Sequence, residues 1–77
     1  SEKEERTDLL VQELGLKPGD VVADIGAGSG YLTFRMAPLV PRGSVLAVDI
    51  QPEMLGIIRD SALAKGITNV QTVHGNV

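Results

Sequence analysis

Seventy-seven residues allow a single domain. The chain has no cysteine, so neither a disulfide nor a thiolate-bound metal can reinforce a core that supplies only about 3–5 kcal/mol of net stability. Ten acidic residues against seven basic ones, with Arg35, Arg42, Arg59 and Lys65 scattered, exclude the basic stripe that polyanion binding needs; no direct contact with nucleic acid is expected.

The opening Ser1-Glu2-Lys3-Glu4-Glu5-Arg6 is too polar for a secretory h-region. The apolar runs along the chain are only a few residues long, far short of the roughly 20 that span a bilayer. A cytoplasmic protein without membrane contact is the expectation. Helical character is predicted from Lys3 to Leu14, with Leu10 and Leu14 on one face, Val11 beside them and Gly15 as the stop. Pro18-Gly19-Asp20 reads as a turn, and Val21 to Ile25 as a short strand rich in β-branched residues.

A glycine-rich stretch, Gly26-Ala27-Gly28-Ser29-Gly30, leads into a second helix over Tyr31 to Leu39. Leu32, Met36 and Leu39 recur there at helical spacing, Phe34 and Met36 are core candidates, and Pro38 removes one backbone donor and bends or frays the last turn. After the loop Pro41-Arg42-Gly43, Ser44 to Ile50 forms the second strand around Val45-Leu46-Ala47-Val48. Pro52 suits the first position of a third helix, where its missing N–H has no partner to lose. That helix runs to Lys65, with Leu55, Ile58 and Ala62 on one face, Glu53 and Lys65 complementing the dipole, and Gly66 ending it. Val70 to His74 is a third strand before Gly75-Asn76-Val77. The α-β-α-β-α-β order with short connections predicts an α/β fold whose parallel strands are joined by right-handed crossovers.

The candidate chemistry lies in Asp24-Ile25-Gly26-Ala27-Gly28-Ser29-Gly30, where a strand runs directly into a helix. Glycine lets the chain turn off the strand and lets a ligand approach the backbone without meeting a Cβ. Asp49 ends the second strand, about 20 residues after the loop, where an acid either accepts both hydrogen bonds of a ribose diol or caps the third helix. The spacing is G-x-G-x-G, with Tyr31 where dinucleotide folds carry a third glycine, and no G-x-x-x-x-G-K-[ST] is present. Asp24 suits a cationic group better than a pyrophosphate. Tyr31 either donates to a ligand or packs at the helix start, and His74, the only histidine, reads as a structural residue at a strand end. No nucleophile–base pair, metal-ligand cluster or paired catalytic carboxylates stand out. An NAD-type dinucleotide-binding half domain and a minimal α/β scaffold without ligand both stay open as readings.

Val21-Val22-Ala23-Asp24-Ile25-Gly26-Ala27-Gly28-Ser29-Gly30-Tyr31 resembles the first motif of class I S-adenosylmethionine-dependent methyltransferases. Val45-Leu46-Ala47-Val48-Asp49-Ile50 resembles the following motif, Pro52-Glu53-Met54-Leu55 its continuation, and Asn69 to Val77 the third strand and the turn beside the adenine. The resemblance implies that S-adenosylmethionine or S-adenosylhomocysteine is the cofactor. Gly26, Gly28 and Gly30, with Ala27 and Ser29 between them and Tyr31 after them, would lie along its methionine and ribose portion. Asp24 would sit near the amino acid end, Asp49 would hold the ribose hydroxyls, and Ile50 and Met54 would contact the adenine. Asn76 stands where the family usually carries an acid that accepts from the adenine amino group, and an amide makes that contact weaker. Val77 would help cover the ring.

The resemblance further implies that residues 1–77 form half of a three-layer Rossmann-like domain. Its three-stranded parallel sheet would have the order 3-2-1, with all three helices on one face. Substrate selection and any general base lie, in that family, beyond the third strand, so cofactor binding without efficient turnover is expected of these residues alone. The nearly continuous apolar strands carry the pattern of burial on both faces. An open edge and an uncovered face predict self-association, as a homodimer or larger.

Overall fold

The computed structural model describes residues 1–75. Its elements are α1 (Glu2–Glu13), β1 (Val21–Ile25), α2 (Tyr31–Met36) continued by a 3-10 turn at Ala37–Leu39, β2 (Ser44–Asp49), α3 (Pro52–Lys65) and β3 (Val70–His74). The strands form one parallel sheet with β2 in the centre, as the α/β reading requires. In register, Val22 lies opposite Val45 and Val45 opposite Val70, while Asp49 lies opposite His74. Ile25, Asp49 and His74 therefore end their strands along one edge of the sheet.

Local chemistry explains the helix boundaries. The Ser1 hydroxyl accepts from the Glu4 N–H at 3.3 Å, and Glu2, Glu4 and Glu5 place negative charge at the positive end of α1. Pro52 opens α3, and Gly66 closes it in the left-handed region at φ 67°. The Ile67 N–H there donates to the Ala62 carbonyl at 2.9 Å, beside the Gly66 N–H that donates to the Ala62 and Leu63 carbonyls, so the last turn is closed by its own backbone. Pro38 lies in a 3-10 turn that ends the second helix, so the last turn tightens where bending or fraying is expected. The Asn69 side chain then donates to the carbonyls of Ala37 and Val40, at 2.8 and 2.9 Å.

Burial along β2 alternates strictly: Val45, Ala47 and Asp49 are buried on one face. Val45 packs with Val11 of α1 and with Met36, Ala37 and Val40, whereas Ala47 packs with Ala27 and with Ile58 of α3. All three helices thus cover the same face. The opposite face carries Val21 and Ile25 at 65% and 53% exposure, with Val73 also exposed. The apolar runs in the strands therefore supply one buried face and one bare apolar face.

Three of the leucines that share an apolar helical spacing stay outside the core. Leu10 and Leu14 are exposed, and Val11 alone carries the buried stripe of α1, which packs against α2 and offers the core a narrow contact. Leu39 is also exposed, because the 3-10 turn rotates it away from the face shared by Leu32 and Met36.

Candidate cofactor-binding site

The loop that follows β1 is fastened to β2 by its own backbone. The Gly26 and Ala27 N–H groups both donate to the Val48 carbonyl, at 2.8 and 2.9 Å. Gly28 takes φ 59°, a conformation that L side chains rarely adopt, and a Cβ there would point into open space. Gly30, at φ 95°, has a second reason to be glycine. A Cβ would stand 2.8 Å from Phe34 Cε2 and 3.1 Å from Ile58 Cγ1, so its absence lets the start of α2 approach α3. Ala27 is buried under the loop, and Ser29 is exposed at its tip.

Asp49 joins this loop to the start of α3. Its Oδ2 accepts from the Gly28 N–H at 2.9 Å and its Oδ1 from the Gln51 N–H at 2.8 Å. Asp49 does not cap α3, whose N-cap is Gln51; it closes an Asx turn just before the helix and bonds the glycine loop as well. A carboxylate has about four acceptor directions, so about two stay available to a ligand. The hydrogen bond from Gln51, then that from Gly28, holds its pKa below the ordinary value of 3.8, while burial opposes them. A carboxylate depressed on folding adds stability above its unfolded pKa, and that stability is lost as pH falls through the folded value. Asp49→Asn is therefore expected to lower Tm by several degrees at neutral pH, with the gap closing well below pH 3.8. Thermal melts of both proteins across that range check this; a gap that persists in acid contradicts it.

Asp24 is 7% exposed, and its Oδ2 accepts from the hydroxyl of the fully buried Thr33 at 2.6 Å. Ile50 is exposed just beyond Asp49, and Met54 is half-buried on the first turn of α3. Tyr31 is held between Lys3, whose Nζ is 4.6 Å from the ring centre, and Arg35, whose Cζ is 3.9 Å from it. This ring contacts the seam between α1 and α2, and its buried hydroxyl has no hydrogen-bond partner among the described residues. His74 Nε2 donates to the Ile50 carbonyl at 2.9 Å, and the Gly75 N–H to the Asp49 carbonyl at 3.0 Å. The end of β3 thereby braces the turn after β2. Asn76 and Val77 lie outside the described residues.

Asp24, the loop, Asp49, Ile50 and Met54 thus gather at the carboxyl edge of the sheet, where ligands of open α/β sheets bind. Sequence reasoning missed Thr33, whose partner lies nine residues away on another element; a polar residue at a core position of α2 was the available signal. A separate groove of 310 Å³, lined in part by Ala37, Pro41, Ile67 and Asn69, lies at the amino ends of the strands, away from this cluster. Among the described residues no group of three or more His, Asp or Glu side chains is arranged to hold a metal.

The methyltransferase domain family matches residues 22–77 of the chain. The chain is 44% identical over 70 residues to the ubiquinone/menaquinone biosynthesis C-methyltransferase UbiE of Ectopseudomonas mendocina, a match covering 88% of the chain and 27% of that protein. It is 35% identical over 69 residues to the protein-L-isoaspartate O-methyltransferase of Methanococcus aeolicus, covering 88% of the chain and 32% of that protein. The crystal structure of a SAM-dependent methyltransferase from Aquifex aeolicus superimposes with a TM-score of 0.82 at 30% identity, over 91% of the chain and 38% of that structure. The chain spans about a third or less of the curated relatives named here. With its motifs, parallel order and fold in agreement, the chain belongs to the methyltransferase domain family, with the Rossmann-like fold of the class I S-adenosylmethionine-dependent methyltransferases.

Proposed function

We propose that residues 1–77 bind S-adenosylmethionine or S-adenosylhomocysteine as the cofactor half of a methyltransferase. The observation that carries this reading is the Asp49 carboxylate, held by Gly28 and Gln51 with acceptor capacity to spare at the carboxyl edge of a parallel sheet. The ribose hydroxyls donate to Asp49. The adenine lies against Ile50 and Met54, which offer apolar surface next to it. Gly26, Ala27, Gly28 and Ser29 follow the ribose and methionine portion, where the open space over Gly28 admits a ligand to the backbone. Gly30 shapes the turn and Tyr31 closes it towards α1. Asn76 and Val77 are assigned to the adenine by the family resemblance.

When bound, the cofactor supplies an electrophilic methyl group on its sulfonium. The role of these residues is to orient it, since an acceptor held in line gains much of its rate from proximity. Calorimetric titration with S-adenosylmethionine and with nicotinamide adenine dinucleotide tests the reading. Saturable heat with the first and none with the second is expected. The reverse preference would move the chain to the dinucleotide binders, and no heat with either would leave a scaffold without ligand.

We further infer that these 77 residues, as one cytoplasmic domain, self-associate. The bare face with Val21, Ile25 and Val73 adjoins the open edge of β1, and apolar surface of this kind is rarely left to water. Size-exclusion chromatography with light scattering at micromolar concentration is expected to give a dimer or larger. A monomer overturns this.

A further inference from the structure

Asp24 is a buried carboxylate without a counter-ion among the described residues. The ion pairs among the described residues join Ser1 to Glu4, Arg6 to Glu2 and Arg35 to Asp8, and none reaches Asp24. Its hydrogen bond is the one from Thr33, a neutral hydroxyl that engages Oδ2 alone. Removing a carboxylate from water in this way is unfavourable unless a cation or further donors compensate it. The neighbouring elements supply no such cation: α2 contributes Thr33, and β2 contributes Ala47 opposite Asp24 in the register.

We propose that Thr33 is a positioning residue that locks the Asp24 carboxylate so that Oδ1 faces the ammonium group of the bound nucleoside's amino acid end. This rests on the cofactor reading above and assigns the selectivity for that end to two residues, one of which never touches the ligand. Thr33 is suited to the task. It is fully buried, its β-branched side chain is stiff about χ1 in a helix, and its hydroxyl has one short charge-assisted bond to make. With Oδ2 occupied, rotation of the carboxyl about its last bond sacrifices that bond, so the free oxygen keeps a single direction. The buried charge then discriminates in favour of a cation over a neutral group of equal size. It also disfavours an anionic group placed at Oδ1.

Thr33→Val removes the hydroxyl and keeps the shape. Two probes separate positioning from packing: S-adenosylhomocysteine carries the ammonium group, whereas 5′-methylthioadenosine shares its adenosine and thioether and lacks the amino acid end. Calorimetry is expected to show about tenfold weaker binding of S-adenosylhomocysteine to Thr33→Val, with 5′-methylthioadenosine unchanged. Thr33→Ser, which restores the donor, is expected to recover most of the preference. Equal losses for both probes would reduce Thr33 to a packing residue, and unchanged affinities would remove its role; both overturn the inference. Should Thr33→Val fail to fold, Asp24→Asn keeps the shape of the acid without its charge, and an undiminished preference for S-adenosylhomocysteine there also overturns it. If the unaltered protein binds neither probe, the cofactor reading itself fails, an outcome distinct from the others.

Discussion

Gly43→Ala is expected to destabilise the domain by about 2–4 kcal/mol, which removes most of a net stability of about 3–5 kcal/mol. A Cβ built on Gly43 would lie 1.8 Å from the Asp20 carbonyl oxygen, 2.7 Å from its carbon and 2.9 Å from the carbonyl carbon of Gly19. These are backbone atoms at the start of β1, and none can swing aside as the end of a side chain can. The same Asp20 carbonyl accepts from the Ser44 N–H at 3.1 Å, and the Arg42 N–H donates to Pro18 at 2.9 Å. Separating the two segments would break bonds that set the register of Val21 opposite Ser44. Gly19→Ala is the control, since a Cβ there meets nothing within 4 Å and Gly19 carries no left-handed φ. Urea titrations followed by circular dichroism should give a collapsed midpoint for Gly43→Ala and a nearly unchanged one for Gly19→Ala. Matching midpoints would contradict the close approach of the two segments.

The second large effect falls on binding. Asp49→Ala is expected to weaken S-adenosylmethionine binding by about 100-fold, because two hydrogen bonds from ribose hydroxyls to a charged acceptor are lost together. The loss has an indirect part as well. Without Oδ2 the Gly28 N–H has no acceptor, and the glycine loop is tied to β2 only through Val48. A calorimetric titration of both proteins checks this, with circular dichroism confirming that Asp49→Ala is folded. An affinity within a factor of about three of the original would assign the ribose elsewhere.

The elements that were legible beforehand have chemistry at their ends. The span from Pro52 to Lys65 was readable because a proline suits its first turn and Gly66 its left-handed stop. Val70 to His74 follows for the same reason, as a β-branched run bounded by turn residues. Periodicity was less informative for the first helix. It identified Leu10 and Leu14 as sharing a face but not whether any element would cover that face, and Val11 holds the contact instead. At the site, the loop and Asp49 could be read from their spacing. Three contacts that hold the surroundings in place could not: Thr33 to Asp24, Asn69 to the carbonyls of Ala37 and Val40, and Gly43 against Asp20. Each joins positions that only the folded sheet brings together, and no local propensity encodes them.

The bond from Gly28 to Asp49 explains how a loop of glycine and small residues can be held ready for a ligand. Gly26 and Ala27 are fixed to one carbonyl of β2 and Gly28 to the carboxylate one residue further on, so the turn is clamped at three consecutive amides. Preorganisation of this kind lowers the entropic cost of binding. On the proposed cofactor reading Asp49 is a ligand contact as well as a structural anchor, so substitutions there are expected to change both stability and affinity.

The most direct test of the cofactor site is a heteronuclear NMR titration of the nitrogen-15-labelled chain with S-adenosylhomocysteine. The amides of Gly26, Gly28, Gly30, Ile50, Gln51 and Met54 are predicted to shift together and to saturate. Shifts confined to Ala37, Gly66, Thr68 and Asn69, around the groove at the amino ends of the strands, would contradict the account, as would an unchanged spectrum at millimolar ligand.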